Sequence, residues 1–218
     1  MKQTPKSNVI KVLVADDHAV VRQGIKQILS KTADISVIDE AANGNEVLEK
    51  VKAQLPDVVV MDIEMPVKSG WEVIPQLKSL YPKLPVIILS IHSEDMYGMR
   101  FLKAGASAYL TKAGAPDQLV QAIRKVASGG KFISPEMAEK LVDELGKDGD
   151  KSPHETLSPR EFQVFCSIAS GKSLKDIAEE LSVGVTTVST HRSRILEKMN
   201  LKSNAELIHY ALKNKLIE

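Results

Sequence analysis

The side chains with chemical capability in this chain occupy a recurring position, directly after short apolar runs. Asp16 and Asp17 follow the run 10–15, Asp62 follows 57–61, Ser90 follows 86–89, and Thr111 and Lys112 follow 108–110. If these runs are parallel strands of one open sheet, their carboxyl ends share an edge, which is where sites form in such sheets. Three carboxylates, a hydroxyl and an ammonium then converge. Clustered carboxylates repel one another unless a cation lies among them. A donor set of oxygens, without His or Cys at zinc spacing, favours Mg²⁺, which keeps water ligands and binds through one or two carboxylates and a phosphate. An ionised aspartate can attack phosphorus to form an acyl phosphate. Lys112 can contact phosphoryl oxygens, and Ser90 can donate to one. The conjunction carries this reading. Taken singly, Asp16 and Asp17 are ordinary loop acids or helix caps, and Lys112 is an ordinary surface lysine.

The elements that position these residues alternate. Strands are predicted at 10–15, 36–40, 57–61, 86–89 and 108–110, and helices at 19–30, 44–53, 70–79, 94–104 and 116–128. The strands are short and mostly rich in Val, Ile or Leu, the pattern of a parallel sheet covered on both faces. Five such repeats in about 130 residues predict a doubly wound α/β domain with right-handed crossovers. Its boundary is placed at 1–130.

The rhythm changes after Gly129-Gly130. A lone helix is predicted over 134–145, with Ser134 as N-cap and Pro135 at its first position. The segment 146–153 holds Gly, Pro and charge without apolar period and is predicted to be a flexible linker, so 131–153 connects the domains. From 154 to 218 the pattern is helical. Ser158-Pro159-Arg160-Glu161 is a capping box opening a helix over 159–170, which Gly171 ends. Helices over 174–181, 185–199 and 204–213 follow, the first two joined by a tight turn at 182–184. The result is a small four-helix domain containing a helix-turn-helix. On the helix over 185–199, Val188, Ile195 and Met199 share one face, and Thr186, Ser189, Thr190, Ser193 and Arg194 lie on or beside the other. Short hydroxyls beside arginine permit close approach to a groove and contacts to bases or phosphates. The same face is also compatible with simple solvation or with protein contact.

The whole chain sets loose bounds. Its 218 residues are 43% hydrophobic, sufficient for two small cores, and carry a formal net charge of +1, so no global field points to nucleic acid or membrane. The single cysteine, Cys166, excludes an internal disulfide and is expected to be a buried small apolar residue. No apolar run approaches the length of a membrane span, and the first eight residues lack the core of a signal peptide. A soluble cytoplasmic protein is the expectation.

Asp16-Asp17, the run from Asp62 to Gly70 (Asp-Ile-Glu-Met-Pro-Val-Lys-Ser-Gly), Ser90 and Lys112 resemble the receiver domain of two-component response regulators. So does Phe101-Leu-Lys-Ala-Gly-Ala-Ser-Ala-Tyr-Leu-Thr-Lys112. The resemblance covers about residues 9–130 and implies a flavodoxin-like receiver. It implies that Asp62 accepts a phosphoryl group from a sensor histidine kinase. It further implies that Mg²⁺ is held by Asp17, Asp62 and the Glu64 backbone carbonyl, with Asp16 acting through water. Ser90 would be the switch hydroxyl and Tyr109 the switch aromatic. Apart from its phosphoryl transfer and dephosphorylation, such a protein is not an enzyme. Ala113 stands where the family often has proline.

The second domain is similar to the LuxR-type DNA-binding domain through Leu157-Ser-Pro-Arg-Glu161, Gly171-Lys-Ser, Asp176-Ile-Ala-Glu-Glu-Leu181, Thr187 to Met199 and Leu201-Lys-Ser-Asn-Ala-Glu-Leu207. Together the two resemblances describe the NarL/FixJ subfamily. They imply a transcription factor that dimerises when phosphorylated and reads double-stranded DNA with the helix over 185–199. The expected DNA-facing residues are Thr186, Ser189, Thr190, Arg192, Ser193, Arg194 and Lys198. Thr186 and Ser189 replace residues that are often basic in the family, and Arg192, Arg194, Lys198 and Lys202 would compensate. Glu64 and His92, each two residues past a site residue, would flank the hydrolytic water.

Overall fold

The computed structural model describes residues 9–145, 152–181, 183–214 and 216–217. The expected linker, apart from its last two residues, the first eight residues and the turn residue Ser182 lie outside the described residues. Two compact units divide between Leu141 and Val142.

The first unit is a five-stranded parallel sheet in the order β2-β1-β3-β4-β5. The strands are β1 (Ile10–Ala15), β2 (Ile35–Ala41), β3 (Val58–Asp62), β4 (Val86–Ser90) and β5 (Ala108–Thr111). Helices α1 (Ala19–Leu29), α2 (Gly44–Ala53), α3 (Gly70–Leu80), α4 (Glu94–Lys103) and α5 (Ala115–Ala127) alternate with them. The strand positions alternate between two covered faces, as a pleat requires. One face carries Val12, Val14, Val58, Val60, Ile87, Leu89 and Leu110, packed with Ile25 and Leu29 of α1 and Leu119, Ile123 and Val126 of α5. The intervening Leu13, Val59, Met61, Val86 and Ile88 are buried as well. Burial on both sides is why the strands read as continuous apolar runs. Asp57 falls outside β3: its backbone N–H donates to Lys11 O and its carboxylate accepts from the Lys11 N–H at 2.7 Å, closing the strand entry instead.

The order of strands decides where the site lies. From β1 the chain goes outward to β2, then back to the other side at β3. The carboxyl ends of β1 and β3 therefore flank the topological switch point of the sheet. Gly70 allows the chain after β3 to fold back tightly: a Cβ there would come within 2.9 Å of Asp62 O and 3.0 Å of Ile63 Cα. All described peptide bonds are trans, including that between Lys112 and Ala113.

Helix α6 (Pro135–Leu145) follows, with the Ser134 hydroxyl accepting from the Met137 N–H at 3.1 Å as the expected N-cap. The described part of the chain resumes in the second unit with a 3-10 turn, Pro153–Thr156, which the sequence pattern did not predict. It continues as α7 (Pro159–Ala169), α8 (Leu174–Glu180), α9 (Val185–Met199) and α10 (Asn204–Lys213). The capping box holds: Ser158 and Glu161 satisfy each other's backbone N–H groups. Gly171 leaves α7 with φ +84°, and the left-handed Asn200 ends α9. Phe162, Phe165, Ile168, Ile177, Val188, Ile195 and Leu207 form the buried interior, with Cys166 beside them as a buried apolar group.

Candidate functional site

The carboxyl ends of β1, β3 and β5 meet around one ammonium. Lys112, after β5, places Nζ 2.7 Å from Asp16 Oδ2 and 2.8 Å from Asp62 Oδ2. Asp16 is fully buried and Asp62 is 5% exposed, whereas Asp17 is exposed. Asp62 Oδ1 accepts from the Ile63 N–H at 2.7 Å, so the carboxylate is held in one orientation. Burial raises the Asp62 carboxyl above its ordinary value; Lys112 opposes this without cancelling it, and Asp16 adds to the rise. For Lys112 the balance is reversed. Burial lowers the ammonium, but its bonds to Asp16 and Asp62 outweigh burial and leave it above its ordinary value.

Beside this centre lies a hydrogen-bonded group built on β4 and β5. The Ser90 hydroxyl accepts from the His92 N–H at 3.1 Å, and the Lys112 N–H donates to Ser90 O at 2.7 Å. The Tyr109 hydroxyl donates to His92 O at 3.1 Å. Burial raises Tyr109 far above its ordinary value, with a bond to Ser90 opposing. His92 Nε2 lies 3.1 Å from Glu64 Oε1, so the two residues expected to flank the site are themselves paired.

In the second unit, α9 separates its faces as expected. Val188 and Ile195 are fully buried and Met199 nearly so, while Thr186, Ser189, Thr190, Ser193 and Arg194 are exposed. The Thr190 and Ser193 hydroxyls donate to the carbonyls of Thr186 and Ser189, one turn back. Two of the residues expected to face DNA are engaged within the domain. Arg192 Nε donates to Asn204 Oδ1 of α10 at 2.6 Å, and Lys198 Nζ lies 2.7 Å from Glu161 Oε2 of α7.

Residues 12–124 match the response regulator receiver domain, and residues 155–211 match the bacterial regulatory proteins of the luxR family. The chain belongs to the response regulators of the NarL/FixJ family. It is 39% identical to the oxygen regulatory protein NreC of Staphylococcus carnosus (strain TM300), over 96% of this chain and all of that one. Among solved structures it is similar to the RcsB response regulator of Salmonella typhimurium, at 25% identity and a TM-score of 0.57, covering 93% of this chain and 98% of that chain. An RcsB–DNA complex is similar at 25% identity and a TM-score of 0.58, with the same coverage.

For a response regulator, a divalent cation is the expected companion of the acids, and the residues present fit one. The donors are oxygens, and the acids outnumber Lys112. Asp16 Oδ2 is buried with the Lys112 ammonium 2.7 Å away, and the Asp16 and Asp17 carboxylates lie close enough together to share one ion.

Three further residues that motif reading passed over lie at these two places. His18 Nδ1 lies 2.8 Å from Asp17 Oδ1 and 3.4 Å from Asp16 Oδ1. Arg22 Nη1 donates to Asp16 O at 2.6 Å while its Nε bonds Glu40 at 3.1 Å, tying the acidic loop to β2. His191 of α9 buries an Nδ1 without a partner among the described residues; burial, then the positive field of Arg160, lowers it below its ordinary value. No local signal marks these three. Each depends on what a neighbouring element brings alongside.

Proposed function

We propose that Asp62 accepts a phosphoryl group from a sensor histidine kinase, and that this phosphorylation controls dimerisation and sequence-specific DNA binding. The observation that carries the reading is the Lys112 ammonium held between Asp16 and Asp62 at 2.7 and 2.8 Å. Asp62, oriented by the Ile63 N–H, presents a carboxylate oxygen to phosphorus. The O–P bond forms as the N–P bond of the donor histidine breaks, the bond's electron pair leaving on a neutral imidazole whose other ring nitrogen already carries the proton. Lys112 is placed to bind a phosphoryl oxygen as charge gathers there. Asp16, Asp17, Asp62 and the Glu64 carbonyl would hold Mg²⁺, which neutralises the acids and the incoming phosphoryl oxygens.

The Ser90 hydroxyl, which here accepts from His92, would turn to donate to the phosphoryl group. A hydrogen bond to a charged acceptor is worth about 1.5–3 kcal/mol, enough to shift a two-state population. Tyr109 would follow, because it shares His92 with Ser90.

Each α9 would then enter a major groove, two chains reading two half-sites. The RcsB–DNA complex, in a relative of similar fold, supports DNA as the partner. Among the described residues no helix is long and apolar enough to cross a membrane, in keeping with a cytoplasmic site of action. The test is phosphorylation by acetyl phosphate with Mg²⁺, acetate being the leaving group, read by intact mass. The parent gains one phosphoryl group and Asp62→Asn gains none; equal labelling of both refutes the assignment.

A further inference from the structure

The end of the first unit closes on α4. After α5 the chain returns beside β5, where the Phe132 N–H donates to Ser107 O at 3.0 Å and Phe132 pairs with Ala108 in a parallel bridge. α6 then begins. Its Met137 is 1% exposed, although Glu136 and Ala138 on either side are exposed. The reason is Gly98 of α4. A methyl group at Gly98 would come within 2.5 Å of Met137 Cε, so the thioether end fills a notch that only glycine leaves open. One turn further on, Lys140 pairs with Asp95 of α4.

This seat is weak by construction. An isolated helix of eleven residues is marginal in water, and an exposed ion pair adds little. One buried methionine therefore carries most of the attachment. The seat also lies on the helix that hears the phosphorylation site. Tyr97, adjacent to Gly98, packs edge-on against His92 at 5.0 Å and against Trp71 at 5.4 Å. His92 is the residue whose N–H and carbonyl engage Ser90 and Tyr109.

We infer that α6 is a self-docked latch, seated on α4 at Gly98 in the unphosphorylated chain, that restrains DNA binding until the Ser90–His92–Tyr109 group rearranges. The inference rests on the reading that phosphorylation of Asp62 controls DNA binding. A shift of α4 by a fraction of the methionine's width closes the notch, and the remaining ion pair cannot hold the helix. The unlatched α6 frees the start of the connection to the DNA-binding unit. An equilibrium moves only as far as the two states differ in contacts, and here the differing contact is Met137.

The test uses the full chain in two measurements. Hydrogen exchange of the α6 peptide reports the latch, and titration of duplexes selected from a random pool by the phosphorylated parent reports DNA affinity. Acetyl phosphate should speed α6 exchange in the parent, a readout that needs no DNA and so stands even if the reading of DNA control fails. Met137→Ala, which keeps helix propensity, should speed α6 exchange and raise the DNA affinity of the unphosphorylated chain roughly five-fold or more. Asp95→Lys should act in the same direction, and adding Lys140→Asp should restore the parent's behaviour. The inference is overturned if acetyl phosphate leaves α6 exchange unchanged. It is equally overturned if Met137→Ala loosens α6 while the affinity of the unphosphorylated chain stays at the parent's value.

Discussion

Lys112 Nζ lies 2.8 Å from Asp62 Oδ2, yet the Asp62 carboxyl still sits above its ordinary value. Burial costs this carboxylate more than one shared ammonium returns. A carboxyl whose folded value is raised binds its proton more tightly when folded. Its charged form therefore costs stability, a cost fully present above the folded value and absent below the unfolded one. Asp62→Asn should accordingly raise the melting temperature at pH 7. The gain should shrink as pH falls through the carboxylate range. A loss of stability at pH 7 would show that the Lys112 contact outweighs burial.

Glu64 and His92, paired 3.1 Å apart, are proposed to flank the approach of water to Asp62. Replacing both with Ala removes the pair and opens that approach. The dephosphorylation rate of the phosphorylated chain should change measurably, followed by loss of the added mass with time. An unaltered rate would show that the pair plays no part in hydrolysis.

Val67 has φ +67° and is 70% exposed. A β-branched residue in the left-handed region is strained by about 1–3 kcal/mol, partly offset in glycine by its greater unfolded-state entropy. Val67→Gly should stabilise the receiver by about 1 kcal/mol, because little packing is lost at an exposed position. Chemical denaturation of parent and variant checks this.

Lys198 serves the fold of the second unit. It pairs with the buried Glu161, whose carboxylate also accepts from the Ser158 N–H at 2.7 Å. Burial pushes Glu161 up, but Lys198 and Ser158 together hold it below its ordinary value of 4.5. A lowered carboxyl adds stability above its unfolded value and loses it as pH falls through the folded one. Lys198→Ala should destabilise the unit at pH 7 by roughly 1–2 kcal/mol, discounted for the exposed half of the pair. The deficit should narrow in acid, and adding Glu161→Gln should recover part of it. Denaturation at several pH values separates this from a pure DNA contact, which would leave stability untouched.

Arg194 is the contrasting case: exposed on α9 and without an ion pair among the described residues. Arg194→Ala should weaken DNA binding with no change in melting. If Arg194 reads a base, the loss should be about 1–3 kcal/mol and vary with DNA sequence. If it meets phosphate, the loss should be uniform and the salt slope should fall by about one. Titrations across several duplexes at two salt concentrations distinguish these, and no loss anywhere would remove the residue from the interface.

Local pattern was enough to read the strands and α-helices of this protein and to single out Asp16 and Asp62, which meet at Lys112. Strands buried on both faces must be apolar at every position, so Val58 to Met61 and Val86 to Leu89 announce themselves, and Asp62 and Ser90 stand out where those runs stop. The period of α9 likewise sets Val188, Ile195 and Met199 inward from sequence alone. Only the tertiary structure decided what each polar group touches. Periodicity assigns a face but not the neighbour beyond its edge, so it could not show that Arg192 is held by Asn204 or Lys198 by Glu161. Nor could it show Arg22 gripping the carbonyl of Asp16, or Met137 filling the space above Gly98. Those pairings arise between elements distant in the chain, and their energies exist only once the sheet order and helix packing have brought the partners within contact distance.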